Sequence, residues 1–174
     1  MRYAPLALLP LLLVACADQE PTAPDVSPVF SAGAGMNKEL ISGTSDLVGA
    51  GMAERAFTTP SGMCHLWDAP VFTHSSGSIE GPVTFNEQQH LRCDFSHLVA
   101  SGPFEGEVTW NGRSGTISGQ WATNCKPDAS QPLGISCDGT YIARGTGGLD
   151  GVRFHVKWGP GWFPFSYTGT AFWR

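Results

Sequence analysis

The chain has 174 residues, the length of one ordinary domain. Charged residues make up only 14% and glycines number 22, which argues against a disordered acidic chain or a helical bundle and favours a turn-rich β-domain with aromatic packing. The formal net charge is −5 and no Lys or Arg cluster occurs, so there is no basic face for a phosphate backbone and nucleic acid is not an expected partner.

Met1-Arg2 is a short positive start, and Leu6 to Val14 is an apolar run. The run is too short to cross a bilayer, which takes about 20 apolar residues. It ends in Leu13-Val14-Ala15-Cys16, small residues ahead of a cysteine. This pattern resembles the lipobox of bacterial lipoproteins. The resemblance implies that residues 1–15 are a signal peptide and that Cys16 is lipidated on its sulfur and acylated on its new N-terminus. The membrane is then a partner through this anchor, and the location is the cell envelope. Several acyl chains hold stably where one is marginal. Ala17, rather than Asp, follows the cysteine; in that family this goes with the outer membrane when the cell has two. The competing reading is an ordinary secretory leader with a cysteine near the cut by chance.

Ala17 to Gly35 carries Pro21, Pro24 and Pro28 and no apolar periodicity, the composition of a flexible tether. Met36 to Met52 places Leu40, Ile41, Leu47 and Val48 at loosely helical spacing, interrupted by Gly43, Gly49 and Gly51. It reads as a short helix or irregular lead-in. Residues 16–52 are thus assigned to the lipidated cysteine, tether and lead-in, and residues 53–174 to a folded domain. Thr58 to Gly62 is a turn.

Ser78 to Phe85 reads as a strand, with Pro82 suggesting an edge or a bulge. Leu91 to Ala100 is another candidate, and Ser101-Gly-Pro103 a turn. The clearest unit is Phe104 to Trp110, Asn111-Gly112, then Arg113 to Trp121, a hairpin with a type I′ turn signal. The two-residue turn predicts Phe104 opposite Gly119, Gly106 opposite Ile117 and Val108 opposite Gly115. Large side chains opposite glycines let strands coil tightly and an interior fill without overpacking, as a small barrel requires. On the other face Glu105, Glu107 and Thr109 meet Ser118, Thr116 and Ser114, a face expected to be wet, the alternative being that it lines a cavity with the apolar face covered from outside.

Further on, Gly139 to Arg144 is a strand. Val152, Phe154, Val156 and Trp158 then share one face, with Arg153, His155 and Lys157 on the other. Tyr167 to Trp173 closes the chain. Short strands at regular spacing make the fold all-β, a single antiparallel β-barrel of about eight strands. Gly145-Thr-Gly-Gly-Leu-Asp-Gly151, after the strand ending at Arg144, resembles the glycine turn of the allene oxide cyclase and dirigent-like barrels, and Phe104-Glu-Gly-Glu-Val a strand opening of the same family. The resemblance implies an eight-stranded antiparallel barrel around an apolar cavity. It carries no catalytic residue onto this chain.

After Cys16 there are four cysteines, Cys64, Cys93, Cys125 and Cys137. In an exported domain they suggest two disulfides, with three possible connectivities. A bridge between Cys125 and Cys137 would clamp the loop between them, leaving Cys64 with Cys93. A metal site is the competing reading, since Cys64-His65 and His90-x-x-Cys93-x-x-x-His97 gather sulfur and nitrogen ligands; the spacing fits no common zinc module. His74, His90, His97 and His155, with Asp68, Glu80, Asp94 and Asp150, form no recognisable catalytic arrangement. No catalytic residue, metal or cofactor is expected.

Trp158, Trp162, Phe163 and Phe165 crowd a loop stiffened by Pro160 and Pro164. Such rings either cap a barrel mouth, grip a glycan or apolar ligand, or touch the membrane, or else fold back as a plug over the core. The leading expectation is a non-catalytic, envelope-anchored barrel that binds a small apolar or aromatic ligand, or a partner. A barrel enzyme of the cyclase or isomerase kind and a purely structural envelope module are the alternatives. A charged side chain inside an open apolar cavity would favour the enzyme; a filled interior, with no pocket large enough for a ligand, would sink both cavity readings and leave the structural module.

Overall fold

The computed structural model describes residues 35–92 and 96–174. Nine strands follow in order: β1 (Asn37–Ala50), β2 (Arg55–Thr58), β3 (Met63–Gly77), β4 (Gly81–Arg92), β5 (Leu98–Trp110), β6 (Arg113–Pro127), β7 (Ile135–Gly145), β8 (Arg153–Gly161) and β9 (Phe165–Trp173). Among the described residues there is no α-helix, only a 3-10 turn at Gly147–Leu149. Each strand from β3 to β9 pairs antiparallel with the next, β9 pairs with β1, and β1 returns to β3. This closes a ring of eight strands and leaves β2 outside it.

β3 serves two neighbours along one edge. Its residues 71–77 pair with β1, while Cys64 to Trp67 pair with β2. The handover falls at a bulge between Leu66 and Ala69, where Asp68 has φ 57°. A non-glycine residue in that region re-aims the strand, and here it lets β2 take the edge that β1 leaves.

The β5–β6 hairpin has the register its turn dictates. Phe104 pairs with Gly119, Gly106 with Ile117 and Val108 with Gly115. Asn111 and Gly112 both take positive φ, 48° and 72°, as a type I′ turn requires. Phe104, Val108 and Ile117 point inward and are buried, while Glu105 and Glu107 are exposed, so the polar face is the wet one.

Three sequence expectations need correction. The segment 36–52, read as a short helix or lead-in, is barrel strand β1, so the barrel begins at Asn37 rather than at 53. Leu40 and Ile41 suggested helical spacing because they are adjacent, yet they face opposite sides: Leu40 is 85% exposed and Ile41 2%. Gly43, counted as a breaker, is a packing position. A Cβ there would lie 2.0 Å from the Ser76 carbonyl oxygen and 2.5 Å from Tyr167 Oη. Next, the strand expected over Leu91 to Ala100 is the end of β4 and the start of β5, and Ser101-Gly-Pro103 is no turn. Gly102 lies so close to β4 that a Cβ would meet the Asn86 carbonyl oxygen at 2.0 Å, and β5 runs straight through. Last, Pro82 marks neither an edge nor an expected bulge. It is the second residue of β4, a ring strand, where a missing N–H is tolerated.

One end of the barrel is packed solid. The turns 78–80, 111–112 and 146–152 gather there, and Ile79, Leu149 and Phe154 are fully buried. Trp110 meets Phe154 and Trp173 edge-on at 5.7 and 5.2 Å. Gly115 admits the 3-10 turn, since a Cβ there would stand 2.2 Å from the Thr146 carbonyl oxygen. Tyr167 ties this end across the barrel. Its Oη accepts a hydrogen bond from the Ile79 N–H at 3.0 Å and donates to the Ile79 carbonyl at 3.1 Å. At the opposite end β6 and β7 are joined by the Cys125–Cys137 disulfide, between directly paired residues with Cα atoms 4.0 Å apart.

Candidate functional site

The lumen is crossed by a chain of rings that starts in the middle of the barrel and climbs to the open end. Phe104 meets Tyr141 at 4.9 Å and Phe85 at 5.3 Å; Phe85 meets Trp121 at 5.3 Å; Trp121 meets Trp158 at 6.3 Å. Trp158 and Phe163 each lie 4.3 Å from Phe165. The strand pleat produces this line, because alternate residues of β4 to β9 point inward and the alternate positions here are aromatic. Gly139 makes room for Trp158, whose ring would stand 2.6 Å from a Cβ at that position.

Beside this line is a cavity of about 50 Å3. Trp121, Tyr141, Trp158, Phe163, Phe165 and Tyr167 form one side of it, and Val71, Val83 and Phe85 the other. Its polar lining is Ser45, Thr73, Ser75 and Glu87. Thr73 Oγ1 already donates to the Val83 carbonyl at 3.1 Å. The indole N–H of Trp121 is buried without a hydrogen-bond partner among the described residues and lies against Gly102.

Glu87 is the ionisable acid of this lining. Val83 and Phe85 point inward, and two residues further along β4 the same face carries a carboxyl. Burial pushes its pKa up from 4.5 to about 7, with the Gln89 side-chain amide, which donates to its Oε2, acting the other way. Among the described residues no cationic group offsets the burial. Burial likewise raises the phenols of Tyr141 and Tyr167, and the neighbouring Tyr167 pushes Tyr141 further.

Of the four rings expected to form a binding loop, Trp158, Phe163 and Phe165 line this cavity. Trp162 stands outside it, edge-on to Phe163 at 5.7 Å and to Phe165 at 6.3 Å. Phe165 is buried, while Trp158, Trp162 and Phe163 are half-exposed, so the loop both covers the core and borders an opening. The strand expected over Ser78 to Phe85 stops two residues short of Glu87, whereas β4 runs on to Arg92. Continuing the alternation of Val83 and Phe85 by one step finds it.

Cys16 and Cys93 lie outside the described residues. Cys64 is buried against Leu66 and Leu91 on the inner face of β3. Its neighbour His65 is on the outer face, as strand alternation requires, which parts the sulfur from the nitrogen. There His65 Nδ1 meets His90 Nδ1 at 2.6 Å, and Phe57 stacks on His65 at 4.9 Å. Burial lowers the pKa of both, and for His90 the charge of His65 adds to it. No group of three or more potential metal ligands forms among the described residues. His74 on β3 and Arg153 and Lys157 on β8 are exposed outside the barrel, while His155 is half-buried there.

A second, larger concavity of about 1010 Å3 opens on the outer wall, between Met52, Glu54 and Asp68 and the outward side chains of β4 to β7 such as Asn86, Glu105, Gln120 and Arg144. It is broadly open to solvent and holds no buried converging polar group. No family model, curated protein or solved structure matches the chain.

Proposed function

We propose that the protein is an envelope-anchored lipoprotein whose barrel binds a small apolar or aromatic ligand at its open end. The carrying observation is the asymmetry of the lumen: one end is packed to zero exposure, while the other keeps a cavity walled by Trp121, Trp158, Phe163 and Phe165. At about 50 Å3 the cavity takes one small chemical group, far below the roughly 300–1,000 Å3 that encloses a drug-sized ligand. A larger ligand therefore inserts one end and lies along the aromatic rim with the remainder. The lipid anchor rests on the lipobox at Leu13-Cys16. The likeness of Gly145–Gly151 to the allene oxide cyclase and dirigent-like barrels agrees with a cavity inside eight strands.

Native mass spectrometry of the protein purified from its own envelope tests this reading. A retained non-protein mass, lost in Phe163→Ala, supports it; a folded protein that carries no added mass and takes up no apolar probe counts against it. Labelling with radioactive palmitate, absent in Cys16→Ser, tests the anchor. The presence of Glu87 in the cavity favours a second reading, a barrel enzyme of the isomerase or cyclase kind using Glu87 as acid or base. Conversion of the retained molecule to an isomer by wild type, and not by Glu87→Gln, would select it.

A further inference from the structure

We propose that the cavity recognises a protonated amine, the head of an amphiphile whose apolar tail leaves through the aromatic rim, with the Glu87 carboxylate as its counter-ion. This rests on the ligand-binding reading and adds the chemical class of the ligand.

Three observations lead to it. The first is an unmatched charge. An ionised carboxylate in an apolar lumen is costly unless a cation meets it, and among the described residues no Lys, Arg or His lines this cavity. A neutral amide would fill the same space without that cost, yet the chain places a carboxyl there. The second is the wall. Trp121, Tyr141 and Trp158 present rings to the same space, and aromatic faces attract cations, most strongly when water is displaced. The third is size. About 50 Å3 accommodates an ammonium with its first carbons and no ring, so the rest of the ligand must leave past Trp158 and Phe163, the half-exposed rings of the lining at this end. A fatty acid is disfavoured by the same geometry, because its carboxylate would meet Glu87 with no cation between them.

Proton linkage gives the proposal a signature. The other titratable groups lining the cavity are Tyr141 on β7 and Tyr167 on β9, both held neutral by burial. Among the described residues, those that β1, β3, β6 and β8 contribute to the lining carry no charge, and β5, the other strand beside β4, contributes none. With the carboxyl titrating at about 7, raising the pH from 6 to 8 takes it from mostly neutral to mostly ionised, which strengthens amine binding about tenfold.

The test is a tryptophan-fluorescence titration of the full chain with n-octylamine, 1-octanol and octanoate, on wild type and Glu87→Gln, at pH 6 and pH 8. Wild type is expected to bind octylamine at least tenfold more tightly than octanol at pH 8, and to lose about tenfold at pH 6. Glu87→Gln should bind octylamine no better than octanol, and a far-UV circular dichroism spectrum that matches wild type shows that its barrel is intact. Equal affinity for amine and alcohol in wild type, or full amine affinity in Glu87→Gln, overturns the amine proposal and leaves the ligand-binding reading standing. Failure of wild type to bind any of the three overturns both.

Discussion

The two ends of this barrel are built from the same strands and differ in what they do with their interior. At the closed end, Ile79, Leu149 and Phe154 are fully buried, and the glycines that face them are sites where even a methyl group would strike backbone. Every side chain in that plug is uncharged. At the open end the rings of Trp158, Trp162 and Phe163 are half-exposed, a carboxyl sits among them, and a covalent bridge ties β6 to β7. Close packing is thus concentrated where nothing enters, and the cost of a buried acid is accepted where something can. A site of this kind is tolerable only because the other end supplies the stability.

Mutations at the two ends should therefore separate in kind. Phe154→Ala at the closed end removes a fully buried ring from contact with Trp110, and we expect a loss of about 3–5 kcal/mol in chemical denaturation. If instead it costs no more than a rim substitution, the closed end is not the stabilising half. Replacing Cys125 and Cys137 together by Ala opens a 12-residue separation that the bridge now closes. The loss should be about 3 kcal/mol by loop-closure entropy, read as the difference between the variant and the oxidised wild type.

Glu87→Gln should go the opposite way, and only at high pH. A carboxyl whose folded pKa is raised contributes stability that is fully present below its unfolded value and is lost as pH rises through the folded one. For Glu87 that window runs from 4.5 to about 7. The displacement is worth on the order of 3 kcal/mol, so Glu87→Gln should be more stable than wild type by up to that amount at pH 8 and equal to it at pH 4. Urea unfolding at the two pH values checks this; a pH-independent difference would mean that Glu87 does not titrate in this window. Smallest of all, Phe163→Ala at the rim should cost below about 1 kcal/mol of stability while abolishing retention of an apolar ligand. Circular dichroism melts beside the mass spectrometry would reveal the two effects apart.

Legibility in the sequence followed locality. The β5–β6 hairpin could be written down residue by residue, because Asn111-Gly112 fixes a two-residue turn and the turn fixes register. β1 could not, because the partners that make it a strand, β9 and the lower half of β3, are distant in sequence, and Gly43 has meaning only once Tyr167 is opposite it. The aromatic loop was visible as a crowd of rings, but not that three of its members face the lumen while Trp162 stays outside. Glu87 was hidden by its neighbours: Asn86, Gln88, Gln89 and His90 are polar, and a strand whose inward face turns from Phe85 to a carboxyl looks like the end of a strand.

The pairing of Asn37 with Trp173 joins the first strand of the ring to its last. A chain emerging from its N-terminus, whether from a ribosome or through a narrow pore, has β1 in hand long before the partner it needs. Its alternative neighbour, β3, offers only one edge. Until β9 arrives, the half-assembled sheet has two open edges, so the ring can close only once β9 is present. The topology therefore sets an order: β1 gains its second edge partner only when the nine-residue strand β9 is in place.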